Sequence, residues 1–87
     1  MTIVPLRIRF IDEQVASDVF ETFPPDDLDY VEGWSRKRDG DSQVVLLRLS
    51  DERYLQAFIA LCRQTSYVVD VTPITETEFW NAPSHAI

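Results

Sequence analysis

Glycine occurs twice in this 87-residue chain, and cysteine and histidine once each. These scarcities close several routes to chemistry. With Gly33 and Gly40 alone, neither G-x-x-x-x-G-K-[ST] nor G-x-G-x-x-G can be written, so the glycine-rich cradles for phosphate are excluded. A lone Cys62 rules out a disulfide framework within the chain, and no Cys/His spacing suits zinc. The single histidine, His85, falls in a C-terminal stretch where fraying is expected. Long apolar runs are missing too, so no membrane span is expected. The N-terminal MTIVPLRIRF lacks the basic region and cleavage site of a signal peptide, and the expected location is cytoplasmic.

Positive charge is also short. Eight Lys and Arg stand against fifteen Asp and Glu, a formal charge of −7. The imbalance is local: Asp12, Glu13, Asp18, Glu21, Asp26, Asp27, Asp29 and Glu32 lie in a segment, 12–32, without Lys or Arg. Such a block repels nucleic-acid phosphates and attracts basic partners at long range, so direct nucleic-acid binding is not expected. The plainer alternative is a solvated face that confers solubility.

Against these shortages, 45% of the residues are hydrophobic, enough for one core in a chain of this length. A single α+β domain over residues 1–80 with a tail at 81–87 is expected. Residues 3–11 alternate, with Leu6, Ile8 and Phe10 on one side of a strand and Arg7 and Arg9 on the other. Asp12 can cap a helix whose apolar face is Val15, Ala16, Val19, Phe20 and Phe23, ended by Pro24-Pro25. Strands are expected at 30–38, at 43–49 and at 66–74. The second helix opens at Ser50-Asp51-Glu52 and carries the stripe Leu55, Phe58, Ile59 and Cys62. Residues 75–80 are consistent with an extension, an added strand or a helical turn.

The order β-α-β-β-α-β favours a ferredoxin-like two-layer sandwich, with a four-stranded antiparallel sheet and two helices on one face. The other face, open to a partner or a second copy, would carry Arg7, Arg9, Val44, Leu46, Arg48, Val68, Asp70 and Thr72. Tyr30, Trp34 and Arg36 would join them if the second strand turns its large side chains outward. Val44 and Leu46 on that face imply that it is partly covered.

Residues 36–43, RKRDGDSQ, pose the one local puzzle: phosphate clamp, metal loop or hairpin tip. Asp-Gly is a strong signal for a two-residue hairpin turn. Read as a calcium loop from Asp39, the stretch lacks both the required glycine and the terminal glutamate, so no metal or other cofactor is expected. Families that use this fold offer further exclusions. The glycine-rich arginine loop of acylphosphatases has no counterpart, QVVLLRL lacks the stacking aromatics of RNA-recognition motifs, and Phe10-Ile11-Asp12-Glu13 lacks the glycine turn of ACT domains.

Two function classes remain. One is a non-catalytic module that binds a basic protein, as an inhibitor, immunity protein, antitoxin or nucleic-acid mimic would. Asp26, Asp27, Asp29 and Glu32 would steer the partner, with Trp34 as anchor and Arg36 beside it. The other is a homodimeric regulatory domain that senses a metabolite between copies joined through the open sheet face. An enzyme is not expected, since no pocket that shifts carboxylate pKa values can be inferred.

Overall fold

A computed structural model describes residues 2–23 and 27–83. Four strands, β1 (Thr2–Phe10), β2 (Val31–Asp39), β3 (Ser42–Leu49) and β4 (Val68–Pro73), form one sheet in the order β2-β3-β1-β4, with every neighbouring pair antiparallel. Three helices accompany it: α1 (Glu13–Asp18), α2 (Leu55–Arg63) and α3 (Glu76–Asn81). The architecture is α+β with an open antiparallel sheet. Among the described residues no helix is long and apolar enough to cross a membrane.

Alternation along β1 and β3 builds the main core. Leu6, Ile8 and Phe10 from β1 meet Val45, Leu47 and Leu49 from β3, all buried, beneath Ala16 of α1 and Phe58, Ile59 and Cys62 of α2. Burying each large side chain of this kind contributes roughly 1.5–3 kcal/mol. Phe10, Phe23 and Tyr67 close one end as a ring triangle, with centroids 5.8–6.1 Å apart.

Asp12 caps α1 by accepting the Val15 amide at 2.8 Å. The helix then stops at Asp18, well before the prolines, and turns carry the chain on to Phe23, whose ring is buried. Asp51, one residue beyond the expected hydroxyl cap, accepts the Arg53 amide at 3.0 Å and starts a 3-10 turn, Glu52–Tyr54, that leads into α2. Ser50 instead ties back to Tyr30, its amide donating to the Tyr30 carbonyl at 2.9 Å.

Register decides one side-chain direction the sequence left open and overturns another. In β2, Trp34 pairs with Leu47 and Arg36 with Val45, so both lie on the main-core side and the condition for joining the opposite face is not met. In β4, Arg9 pairs with Asp70 but Phe10 with Val68, leaving Val69 as an extra residue. This bulge reverses the alternation: Val68 packs against the core and Val69 is exposed. A matching irregularity sits at Glu32 in β2, between Val31 and Gly33.

A further correction concerns the layers. Residues 76–81 are helical, capped by Thr75, whose hydroxyl accepts the Glu78 amide at 3.0 Å. This helix packs on β1 and β3 from the side opposite α1 and α2. Val44 points away from the main core, yet it is fully buried, as is Phe79 of α3. The sheet therefore has helices on both faces, and the second face is covered in part.

Candidate partner-binding surface

The RKRDGDSQ stretch resolves as a hairpin tip. Gly40 and Asp41 link the Asp39–Ser42 pair, and only Gly40 has positive φ, at 63°. Glycine at the first of two turn positions is the pattern of a type II′ turn, which matches the strand twist. The three cations before it do not converge. Arg36 and Arg38 lie on the main-core side, opposite Val45 and Gln43, while Lys37 lies opposite Val44 on the other face. Arg38 Nε and Gln43 Oε1 are buried without a hydrogen-bond partner.

Each of two cations is used within the protein. Arg36 stacks on Trp34, with its guanidinium carbon 3.9 Å from the ring centroid, and Nη1 donates to the Phe20 carbonyl at 2.6 Å. Gln43 Nε2 donates to the same carbonyl at 3.0 Å, so the chain leaving α1 is held from two strands. Lys37 Nζ donates to the carbonyls of Phe79, Trp80 and Ala82 at 3.0, 3.1 and 3.3 Å. A cation at the C-terminal end of a helix satisfies carbonyls that lack intrahelical partners and opposes the helix dipole.

Among the described residues the second face carries one ion pair, Arg7 Nη1 to Asp39 Oδ2 at 3.1 Å across β3, with both side chains about one-third exposed. Such a pair is worth roughly 0–1 kcal/mol. Arg48 folds over Gly33, where a side chain would collide with its guanidinium. Asp70 does not pair with an arginine among the described residues; its carboxylate accepts the Val71 amide at 2.9 Å.

The acidic segment has the opposite character. Asp12, Glu13, Asp18, Glu21, Asp27, Asp29 and Glu32 are all exposed, and none forms an ion pair with another described residue. Asp26 lies outside the described residues, as does His85. Of the remaining expected contact residues, Asp27 and Asp29 stand on the loop before β2 and Glu32 on its irregularity, while Trp34 and Arg36 stack on each other and are half-buried. Trp34 is thus part of the scaffold beside the core, and the exposed tryptophan is Trp80, at 61%.

Two tyrosines not counted among the contact residues complete this region. Tyr30 and Tyr54 stack in parallel, centroids 4.9 Å apart and planes 9° from each other. With Asp29 and Ser50 they line an open depression of about 300 Å³. Burial raises the Tyr30 phenol pKa, with Cys62 adding in the same direction. No sequence spacing connects these residues; only the β2–β3 pairing brings Tyr30 to Ser50.

The described residues contain no group of three or more His, Cys, Asp or Glu placed to hold a metal. Cys62 is fully buried, and burial pushes its thiol up to about 12, which keeps it protonated and unreactive at neutral pH.

No family model, curated protein or solved structure matches this chain.

Proposed function

We propose that this chain is a small acidic, non-catalytic protein-binding module that recognises a basic protein partner, in the manner of an inhibitor, immunity protein, antitoxin or nucleic-acid mimic. The observation that carries this reading is an asymmetry of charge use. Arg36 and Lys37 are bound to the chain's own carbonyls and rings, and Arg53 to the Tyr54 hydroxyl and ring. The carboxylates of residues 12–32 that are described stay exposed. The cations' contacts leave them charged and the formal charge at −7, but they fix where positive charge sits. The described 12–32 carboxylates form an exposed negative segment without a cation in it, and such a local field speeds encounter with a cationic surface.

A non-catalytic role accords with the buried, protonated Cys62 and with carboxylates that sit in water. The reading includes membership of the ferredoxin-like class, supported by the element order and the strand order β2-β3-β1-β4. Asp27, Asp29 and Glu32 steer the partner, together with Asp26. The α3 helix reduces the sheet surface on which two copies would meet, so a metabolite-sensing homodimer has less support.

The test is calorimetric titration of the protein with a capped arginine-rich peptide at low and at high salt, for the wild type and for Asp27→Asn/Asp29→Asn/Glu32→Gln. Affinity is expected to fall on the order of tenfold in the variant and with added salt, since exposed charges are screened beyond about 10 Å at 0.1 M salt. Binding indifferent to both changes would remove the basis of the proposal.

A further inference from the structure

Building on that reading, we infer that the depression between Asp29, Tyr30, Ser50 and Tyr54 is a docking subsite for an arginine side chain of the partner.

The site is fixed by the scaffold. The Val31 amide donates to the Leu28 carbonyl at 3.0 Å, which sets the turn carrying Asp29. The Ser50 amide and hydroxyl both donate to the Tyr30 carbonyl, at 2.9 and 3.4 Å, which joins the start of β2 to the end of β3. Tyr54 is held by two neighbours: Tyr30 stacks on the ring, and Arg53 lies 5.0 Å from its centroid with Nη2 donating to the hydroxyl at 3.2 Å. Tyr30 itself packs against the core.

The lining residues are one aspartate and three hydroxyl-bearing residues, with Arg53 at the border, where it already donates to the Tyr54 hydroxyl. Asp29 is exposed and makes no hydrogen bond or ion pair with another described residue. A lining of oxygen acceptors around one negative charge selects a cation that carries several N–H donors. A divalent metal ion is disfavoured because it requires more carboxylate oxygens than one aspartate supplies. Guanidinium suits the site better than ammonium, since its planar fork can pair with the Asp29 carboxylate in bidentate fashion while its face lies on an aromatic ring. The chain already shows this chemistry in Arg53 on Tyr54 and Arg36 on Trp34. The depression is too open to enclose a free metabolite, but a side chain presented by a protein surface needs no enclosure.

The experiment is a two-dimensional NMR titration of the full chain with capped tri-arginine and capped tri-lysine peptides, repeated with Asp29→Asn and Ser50→Ala. The expected result is saturable shifts at Asp29, Tyr30, Ser50 and Tyr54, stronger for tri-arginine, and weakened on the order of tenfold by Asp29→Asn. The variant's unchanged amide spectrum outside the site shows that it is folded. Shifts confined to residues 12–21, unaffected by Asp29→Asn, overturn the subsite and leave the acidic-surface reading standing. Equal or stronger binding of tri-lysine overturns the guanidinium assignment. Absence of shifts with either peptide overturns the subsite and the acidic-surface reading together.

Discussion

Replacing Lys37 with methionine keeps the length and apolar stem of the side chain and removes its charge. Three hydrogen bonds disappear at once, two to α3 carbonyls and one to the Ala82 carbonyl just past it, together with ring contacts at 4.9 Å to Phe79 and 5.6 Å to Trp80. A cation at a helix C-terminus is worth about 0.3–1 kcal/mol when exposed and up to ~2 kcal/mol when partly buried. A cation–π contact adds about 0.5–1 kcal/mol. The Phe79 and Ala82 bonds are partly buried and the Trp80 bond is exposed. A loss of about 1–3 kcal/mol follows, or a fall in Tm of roughly 4–8 °C per kcal/mol for a domain of this size. The damage is expected to be local first, because a six-residue helix cannot persist without tertiary contacts. Amide hydrogen exchange should therefore lose protection at residues 76–81 ahead of β1 and β3, and urea denaturation should report the global loss. Phe79→Ala provides the scale, at about 3–5 kcal/mol for a buried phenylalanine. If Lys37→Met leaves both α3 protection and the urea midpoint unchanged, Lys37 does not hold this helix and the argument fails.

Other outcomes follow from single residues. Gly40→Ala should destabilise by about 1–2 kcal/mol in urea denaturation, because φ of 63° strains any side chain. Gly33→Ala should cost less than Gly40→Ala, since the nearest obstacle is the movable end of Arg48. Stability should fall as pH rises above about 9, because the unfolded Cys62 thiol ionises near its ordinary 9.0 while the folded one stays protonated up to about 12. The contribution is complete below 9 and is lost progressively on the way to 12; Cys62→Ala should flatten that alkaline slope, measured by denaturation across the range.

Strands β1 and β3 are legible in sequence because their alternation decides which residues meet water, and their core residues lie where the pattern puts them. The helix caps at Asp12 and Thr75 are local devices, but only Asp12 precedes an apolar periodicity long enough to announce a helix. ETEFWN alternates as a strand would, and becomes α3 because Phe79 is buried where the helix packs on β1 and β3 and Lys37 reaches its last carbonyls. That decision is tertiary. The two faces of β2 are equally mute in sequence, since Trp34, Arg36 and Arg38 share one parity with Glu32. Pairing with β3 chooses their side, and the chain following α1 then supplies the Phe20 carbonyl that Arg36 needs. The acidic run was visible as composition, whereas the neighbourhood of Asp29 depends on Ser50 and Tyr54, which arrive from the far end of β3 and the turn beyond it. Val69 shows the limit of period counting, because one extra residue reverses every side chain past it.

Both outer strands of the sheet are interrupted, β2 at Glu32 and β4 at Val69, and β4 also ends on Pro73. A kinked border with a charged or imino residue in it is a poor template for a further strand, from a neighbour or from a peptide. The regular stretch left on the outer side of β2, residues 33–39, carries Arg36, Lys37 and Arg38, and charge of that kind discourages edge-to-edge pairing between copies.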